Sequence, residues 1–144
     1  MMKAFTVLFT ILSLFNAAHA QDISIMSPED AYKQSKQGDL TLIDVRRPAE
    51  WENTGIAEPA RPMTMHGPEG IDGLIKEILA HVEGDKSRPV AVICRSGTRS
   101  AKVANALKAA GFSSIFDVSE GMEGDFLKQG WLKRGLPTKS FSSP

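Results

Sequence analysis

The residues best suited to chemistry are a single cysteine and the polar segment that follows it. Cys94 is the only cysteine among 144 residues, and it is followed by Arg95-Ser96-Gly97-Thr98-Arg99-Ser100. Nearby cations, backbone amides and a helix N-terminus all favour the thiolate, which is the nucleophilic form of cysteine. A cysteine that only packs in a core has no need of two arginines beside it. We therefore interpret Cys94 as a reactive nucleophile.

Two elements must position this segment. Val90-Ala91-Val92-Ile93 is a short apolar run, which predicts a strand that is buried on both faces. Residues from Ser100 to Ala110 predict a helix, because their apolar side chains fall on one face. A tight loop between a strand and a helix start directs successive N–H groups into one concavity. Cys94 is expected at the mouth of that concavity.

Strands and helices alternate along the rest of the chain. Ser27 and Pro28 favour a helix start, and Gly38 is a natural stop. Apolar residues from Ile71 to Val82 recur at helical spacing, which predicts an amphipathic helix. The other predicted elements are a short leading strand within 21–26, strands over 40–45 and 114–118, short helices over 48–53 and 124–129, and a loose tail from Thr138.

This alternation predicts one α/β domain with three layers, in which helices flank a central, mostly parallel sheet. Ligands bind such sheets at the carboxyl ends of the strands. Cys94 follows the strand that ends at Ile93, and Asp44 lies near the end of the strand over 40–45. Both residues are therefore expected at the same edge of the sheet.

The first twenty residues have the features of a secretory signal peptide. Lys3 precedes an almost wholly apolar run over 4–15, and Ala18-His19-Ala20 is a small-x-small cleavage site. About a dozen apolar residues are too few to span a bilayer. We predict removal of residues 1–20 and a periplasmic or secreted protein.

The balance of charges argues against two classes of partner. The chain has 17 basic and 17 acidic residues, and loss of the leader removes only Lys3, which leaves about −1. Nothing in this balance indicates binding to nucleic acid, or to a membrane once the leader is removed. A single cysteine also excludes an intrachain disulfide, although the predicted compartment is oxidising.

Three segments together resemble the single-domain rhodaneses, or thiosulfate sulfurtransferases. They are Asp44-Val45-Arg46-x-x-x-Glu50-Trp51, the run from Cys94 to Ser100, and the closing Gly121…Trp131…Gly135-Leu136-Pro137. The resemblance extends from about Ser27 to Pro137 and implies a rhodanese-like domain over 21–137. One segment departs from the family, because Gly55-Ile56-Ala57-Glu58-Pro59-Ala60 stands where a Gly-His-Ile-Pro-Gly-Ala-like run is usual.

The resemblance implies a sulfurtransferase in which Cys94 is the catalytic nucleophile and carries a persulfide. The substrates would be a small anionic sulfur donor, such as thiosulfate, and a thiol or cyanide as acceptor; a protein acceptor is left open. Arg95 and Arg99 would attract the anion. The expected substrate-binding residues are the six that follow the cysteine: Arg95, Ser96, Gly97, Thr98, Arg99 and Ser100. Neither a metal nor an organic cofactor is expected.

Two other functions are compatible with the same loop. A non-catalytic persulfide carrier shares the first half-reaction with the enzyme. A cysteine-dependent phosphatase or arsenate reductase has a similar loop, but typically with five residues between cysteine and arginine, whereas four separate Cys94 from Arg99. The shorter loop is expected to fit one sulfur atom better than a phosphate.

Residues near the predicted site have mainly structural interpretations. We expect Asp44 to pair with Arg46 or to cap the next turn, rather than to act as a catalytic acid. Trp51 and Trp131 are expected to pack in the core. His66 lies in a loop that could overhang the site, and its role is left open.

Overall fold

Helices and strands alternate through residues 22–143, which are the residues described by the computed structural model. The predicted leader lies outside the described residues. Within 22–143 no helix is both long and apolar enough to cross a membrane. The elements are β1 (Ser24–Ile25), α1 (Pro28–Gln37), β2 (Thr41–Asp44), α2 (Pro48–Thr54), β3 (Ile56–Ala57), β4 (Arg61–Pro62), α3 (Gly70–His81), β5 (Val90–Ile93), α4 (Thr98–Ala109), β6 (Ile115–Asp117), α5 (Gly130–Lys133) and β7 (Thr138–Lys139).

The main sheet has the strand order β1-β6-β5-β2-β4, and each neighbouring pair is parallel. Strand β5 lies between β2 and β6, with Ile93 paired to Asp44 and Val92 paired to Asp117. The carboxyl ends of these three strands therefore meet at one edge, where Cys94 follows β5. The predicted α/β class with a mostly parallel sheet between helices is confirmed.

Side chains alternate across the sheet and form a core on each face. Val90 and Val92 of β5 pack with apolar residues of α3 and α4. Ala91 and Ile93 face the other way and pack with Ala31 of α1 and Trp131 of α5. Burial on both faces explains why β5 is apolar at every position.

The last helix differs from the prediction of a helix over 124–129, which is wrong. Gly124 and Gly130 both have positive φ, and Asp125 Oδ1 accepts hydrogen bonds from the backbone N–H groups of Leu127 and Lys128. This local side-chain capping competes with helical hydrogen bonding and makes 124–129 a loop. Helix α5 begins instead at Gly130.

The C-terminal segment also differs from the prediction of a loose tail. Strand β7 pairs antiparallel with β3. Beyond it, the ring of Phe141 packs edge-on against the ring of Trp51, with 5.1 Å between centroids. Both contacts are distant in sequence, so local composition did not reveal them.

A buried ion pair joins the end of β2 to the end of α2. The side chains of Asp44 and Arg46 are both 0% exposed, and Arg46 Nη2 lies 2.8 Å from Asp44 Oδ2. The same guanidinium donates to Thr54 Oγ1 at 2.9 Å and to the Gly55 carbonyl at 2.8 Å. The pairing of Asp44 with Arg46 is as predicted.

Removal of one partner should leave an uncompensated charge in the core. We expect Asp44→Ala to lower the free energy of unfolding by about 3–5 kcal/mol. Lys76→Ala, which breaks an exposed pair with Glu69, should cost less than about 1 kcal/mol. Urea unfolding measures both variants, and equal losses would contradict the assignment of Asp44–Arg46 as a structural pair.

Candidate active site

The Cys94 sulfur lies at the bottom of the loop that joins β5 to α4. The Gly97 N–H donates to Cys94 Sγ over 3.1 Å, and Ser100 Oγ lies 3.5 Å from the same sulfur. Cys94 is only 1% exposed. Helix α4 begins at Thr98, four residues after Cys94, so the positive end of the helix dipole lies near the sulfur. The order of strand, loop and helix is as predicted, although the helix begins at Thr98 rather than at Ser100.

The segment that follows β6 supports this loop from behind. The N–H of Met122 donates to the Cys94 carbonyl at 2.8 Å, and that of Glu123 donates to the Arg95 carbonyl at 2.9 Å. A Cβ at Gly121 would overlap the Arg95 carbonyl, and a Cβ at Gly97 would overlap the Ser119 carbonyl. Both glycines also have positive φ. The two backbones therefore approach as closely as they do only because these positions lack side chains.

Arg99 is held by a carboxylate from α2. Its Nη1 and Nη2 atoms donate to Glu50 Oε2 and Oε1 at 2.7 and 2.6 Å, a bidentate geometry. The N–H of Arg47 also donates to Glu50 Oε2, at 3.0 Å. The hydrogen bonds from Arg99 are the main reason that the pKa of Glu50 is lowered from 4.5 to about 2. The same hydrogen bonds raise the pKa of Arg99.

Arg95 also has a carboxylate partner. Its Nε pairs with Glu123 Oε2, and its side chain is 64% exposed. Lys128 Nζ donates to the carbonyls of Ser96 and Ser119, at 3.2 and 3.0 Å, and so joins the Cys94 loop to the segment behind it. The cationic mouth expected from the sequence is therefore largely balanced by Glu50 and Glu123. Backbone N–H groups supply the positive potential nearest the sulfur.

The remaining predicted site residues differ in how far they are buried. Ser100 is fully buried, whereas Thr98 is exposed at the start of α4. Asp44 and Arg46 form their buried ion pair at the carboxyl end of β2, beside the end of β5. His66 is exposed, and its pKa is lowered first by partial burial and then by the charges of Arg47 and Arg99.

Sequence reasoning assigned no role to three residues that the fold brings to the site. Glu50 belongs to the segment from Asp44 to Trp51 that resembles the family, and its place there was the only signal that could have indicated it. Glu123 and Lys128 gave no signal, because they reach the loop from a separate segment. Within 22–143 no group of three or more His, Cys, Asp or Glu side chains is arranged to hold a metal ion.

A family model for the Rhodanese-like domain matches residues 27–125. The chain belongs to the rhodanese-like family. A polysulfide-sulfur transferase homodimer from Wolinella succinogenes is 32% identical, with 85% of this chain and 83% of that chain covered and a TM-score of 0.63. The structure of Rv0390 from M. tuberculosis is 28% identical, with 82% and 98% covered and a TM-score of 0.63.

A curated relative adds a second kind of sulfur protein. The putative sulfur carrier protein YrkF of Bacillus subtilis is 30% identical over 110 residues, which are 74% of this chain and 51% of that protein. The chain thus spans about half the length of this relative. The rhodanese resemblance seen in the motifs is confirmed, and membership in the family supports sulfurtransferase activity in general.

The close approach at Gly121 can be tested against a matched glycine. In Gly121→Ala and Gly135→Ala the new alanine must adopt nearly the same positive φ, 70° and 69°, so the backbone strain is matched. A Cβ at Gly135 would meet no described atom within 4 Å, whereas one at Gly121 must displace the Arg95 backbone. We expect Gly121→Ala to lose most sulfur loading of Cys94 and Gly135→Ala to retain it, as measured by intact mass. Equal loading would contradict the role of this contact.

Because of the Glu50–Arg99 pair, the free energy of unfolding should fall as the pH becomes acidic. Because the pKa of Glu50 is about 2 in the folded protein and ordinarily 4.5, the pair stabilises above pH 4.5, and this contribution is lost as the pH falls toward 2. Glu50→Gln should therefore be less stable than the unsubstituted protein at neutral pH, with a difference that shrinks in acid. Urea midpoints across pH measure this. Glu52→Gln, an exposed position of the same helix, should show no such difference.

Proposed function

We propose that this protein is a sulfurtransferase that moves a sulfane sulfur through a persulfide on Cys94. The observation that supports this most directly is the hydrogen bond from the Gly97 N–H to Cys94 Sγ in a loop at the N-terminus of α4. Such a site stabilises a thiolate before transfer and an anionic terminal sulfur after it.

The reaction proceeds in two balanced steps. The Cys94 thiolate attacks the outer sulfur of the donor, a Cys94 S–S bond forms, and the donor S–S bond breaks. With thiosulfate the leaving group is sulfite, which takes the electron pair of the broken bond. An acceptor such as cyanide or a thiolate then attacks the terminal sulfur and releases the Cys94 thiolate. Neither step requires a metal, a cofactor or an external redox partner.

The donor is proposed to be thiosulfate or a polysulfide. Both have a terminal sulfane sulfur, and the Wolinella succinogenes relative is a polysulfide-sulfur transferase. Because Arg95 and Arg99 each pair with a carboxylate, long-range attraction of a dianion is reduced, and contact with the loop amides gains importance. The engagement of Arg99 by Glu50 also argues against a phosphatase, in which the loop arginine must bind the oxyanion.

The nucleophile can be tested by intact mass. After incubation with thiosulfate or polysulfide and removal of excess donor, the protein should gain one sulfur atom and should lose it to cyanide. Cys94→Ser should show neither change, because the chain has no other cysteine. Ser113→Ala, in the loop that leads into the amino end of β6 and so lies at the opposite edge of the sheet from Cys94, is the control for substitution itself. Sulfur transfer that survives in Cys94→Ser would contradict the proposal.

Persulfide carriage is a second candidate, favoured by the likeness to the putative sulfur carrier protein of Bacillus subtilis. Enzyme and carrier differ in turnover with small acceptors. An enzyme should form many equivalents of thiocyanate per protein from thiosulfate and cyanide, whereas a carrier should stop near one equivalent.

The contribution of Arg95 to the use of thiosulfate can be tested with a matched control. Arg88→Ala is the control for Arg95→Ala, because Arg88 precedes β5 and therefore lies near the opposite edge of the sheet. Because Arg95→Ala would leave the Glu123 carboxylate unbalanced beside the loop, it should slow the use of anionic thiosulfate, and less so at high salt, whereas Arg88→Ala should not.

We also propose that the protein is exported. The basic, apolar and small-residue segments of 1–20 support this localisation. N-terminal sequencing of the protein from a periplasmic or secreted fraction should find Gln21 as the first residue. A cytoplasmic protein that retains Met1 would contradict export.

A further inference from the structure

A cleft with a cationic lining lies at the edge of the sheet opposite Cys94. It encloses about 380 Å³, and Arg61, His81 and Arg88 are among the residues that line it. Thr41, which also lines the cleft, is the first residue of β2, and Arg88 lies shortly before β5. The cleft is therefore at the amino ends of the strands whose carboxyl ends support the Cys94 loop. It has no part in the reaction described above.

The basic side chains of the cleft come from separate parts of the chain. Arg61 belongs to the edge strand β4, and its register partner in β2 is Ile43, so the two side chains share one face of the sheet. Ile43 packs in the core that includes Leu74 of α3. His81 is the last residue of the same helix. The fold thus brings Arg61 and His81 together on the face of the sheet that α3 covers.

The arginines of the cleft have no counter-ion among the described residues. Arg46 and Arg99 pair with carboxylates at 2.8 and 2.6 Å. Within residues 22–143, by contrast, neither Arg61 nor Arg88 forms an ion pair, although the carboxylate of Glu83 is part of the lining. Like charges in one cleft repel each other, so an anion between them would be stabilised.

Stabilisation of a helix end is another role open to these charges, because cations are favourable at a helix C-terminus. The end of α3 is already capped by its own backbone. The N–H of Glu83 donates to the Ala80 carbonyl at 3.1 Å, and that of Gly84 donates to the Leu79 carbonyl at 2.9 Å. These carbonyls do not require guanidinium donors. The N–H groups of the two arginines therefore remain available to a ligand.

We propose that this cleft binds a doubly charged tetrahedral oxyanion, a phosphate or sulfate group, either free or at the end of a larger molecule. A guanidinium presents two parallel N–H groups, which match two oxygens of such an anion. Arg61 and Arg88 supply the charge, and the His81 ring adds a further donor. Ser35 is also in the lining, and its buried Oγ has no hydrogen-bond partner within residues 22–143.

His81 can report on the occupation of the cleft. Its pKa is lowered below the ordinary value by partial burial and then by the charges of Arg61 and Arg88, while Glu83 opposes the shift. Sulfate keeps a constant charge over the range in which histidine titrates. Bound sulfate should therefore raise the pKa of His81, because the anion stabilises the protonated ring.

The test is a titration with sulfate against chloride at constant ionic strength, followed by NMR of the histidine ring C–H signals. The His81 signals should shift with sulfate and saturate. Arg61→Ala and Arg88→Ala should each weaken sulfate binding roughly 10-fold or more, the loss expected for a hydrogen bond to a charged group. Arg47→Ala removes the same charge from an exposed position outside the cleft, and its binding should equal that of the unsubstituted protein.

Several results would overturn the proposal. They are a shift that does not saturate, an equal shift with chloride, and an equal loss in Arg47→Ala. A shift confined to His66, which follows β4 at the carboxyl edge, would place the sulfate near Cys94 instead. If Arg61→Ala lowers the urea midpoint but leaves sulfate binding unchanged, the charge serves the helix end and the proposal is wrong.

Two further probes distinguish the sources of the oxyanion. Inorganic phosphate and glycerol phosphate carry the same group, free and esterified. Tighter binding of the ester would support the end of a larger molecule, and binding of inorganic phosphate alone would support a free oxyanion. Absence of saturable binding for both phosphates and for sulfate would overturn the proposal. No readout depends on sulfur transfer, so these results are independent of the proposed function.

Discussion

The buried ion pair between Asp44 and Arg46 is the interaction on which the edge of the sheet that carries Cys94 depends. Removal of two charges from water costs several kcal/mol per ion, so each side chain is stable in the core only with the other. Because Arg46 also binds the end of α2, the pair fixes this helix relative to β2. Helix α2 then presents Glu50 to Arg99 at the start of α4, beside the Cys94 loop. The Asp44–Arg46 pair thus helps to orient Arg99, which follows the neighbouring strand β5.

The loop that follows Cys94 is also held on the side of β6. Strand β6 continues into a segment whose N–H groups bind the Cys94 and Arg95 carbonyls, and Gly121 allows the two backbones to meet. Lys128 adds a bridge to the Ser96 carbonyl. The strands on both sides of β5 therefore contribute to the loop, which is possible because parallel strands end at one edge of the sheet.

The arginines near the sulfur exert little long-range attraction on an anion, and the group that contacts the sulfur acts at short distance. Arg95 and Arg99 are each neutralised by a carboxylate, and the group that reaches Cys94 Sγ is the Gly97 N–H. A backbone dipole acts over a short distance and needs no counter-ion. The site is thereby suited to hold a single anionic sulfur atom at the bottom of the loop.

Much of the fold, and the position of the candidate nucleophile, could be predicted from local signals. The run Val90–Ile93, the helix start at Ser27 and Pro28, and the polar segment after Cys94 each specify structure through residues close in sequence. The helix expected over 124–129 failed because Asp125 caps a local turn, and the tail was misjudged because its contacts with β3 and Trp51 come from distant residues.

The amino-acid sequence by itself determined the α/β alternation, the candidate nucleophile and the family to which the chain belongs. Those properties depend on periodicity and on short motifs, which a chain displays without folding. Only the tertiary structure decided that Glu50 and Glu123 balance the loop arginines and that Gly121 meets the Arg95 backbone. Each of these contacts joins segments that are far apart in sequence. Their formation depends on strand register and on the exclusion of water between packed layers, and neither can be read from residue types alone.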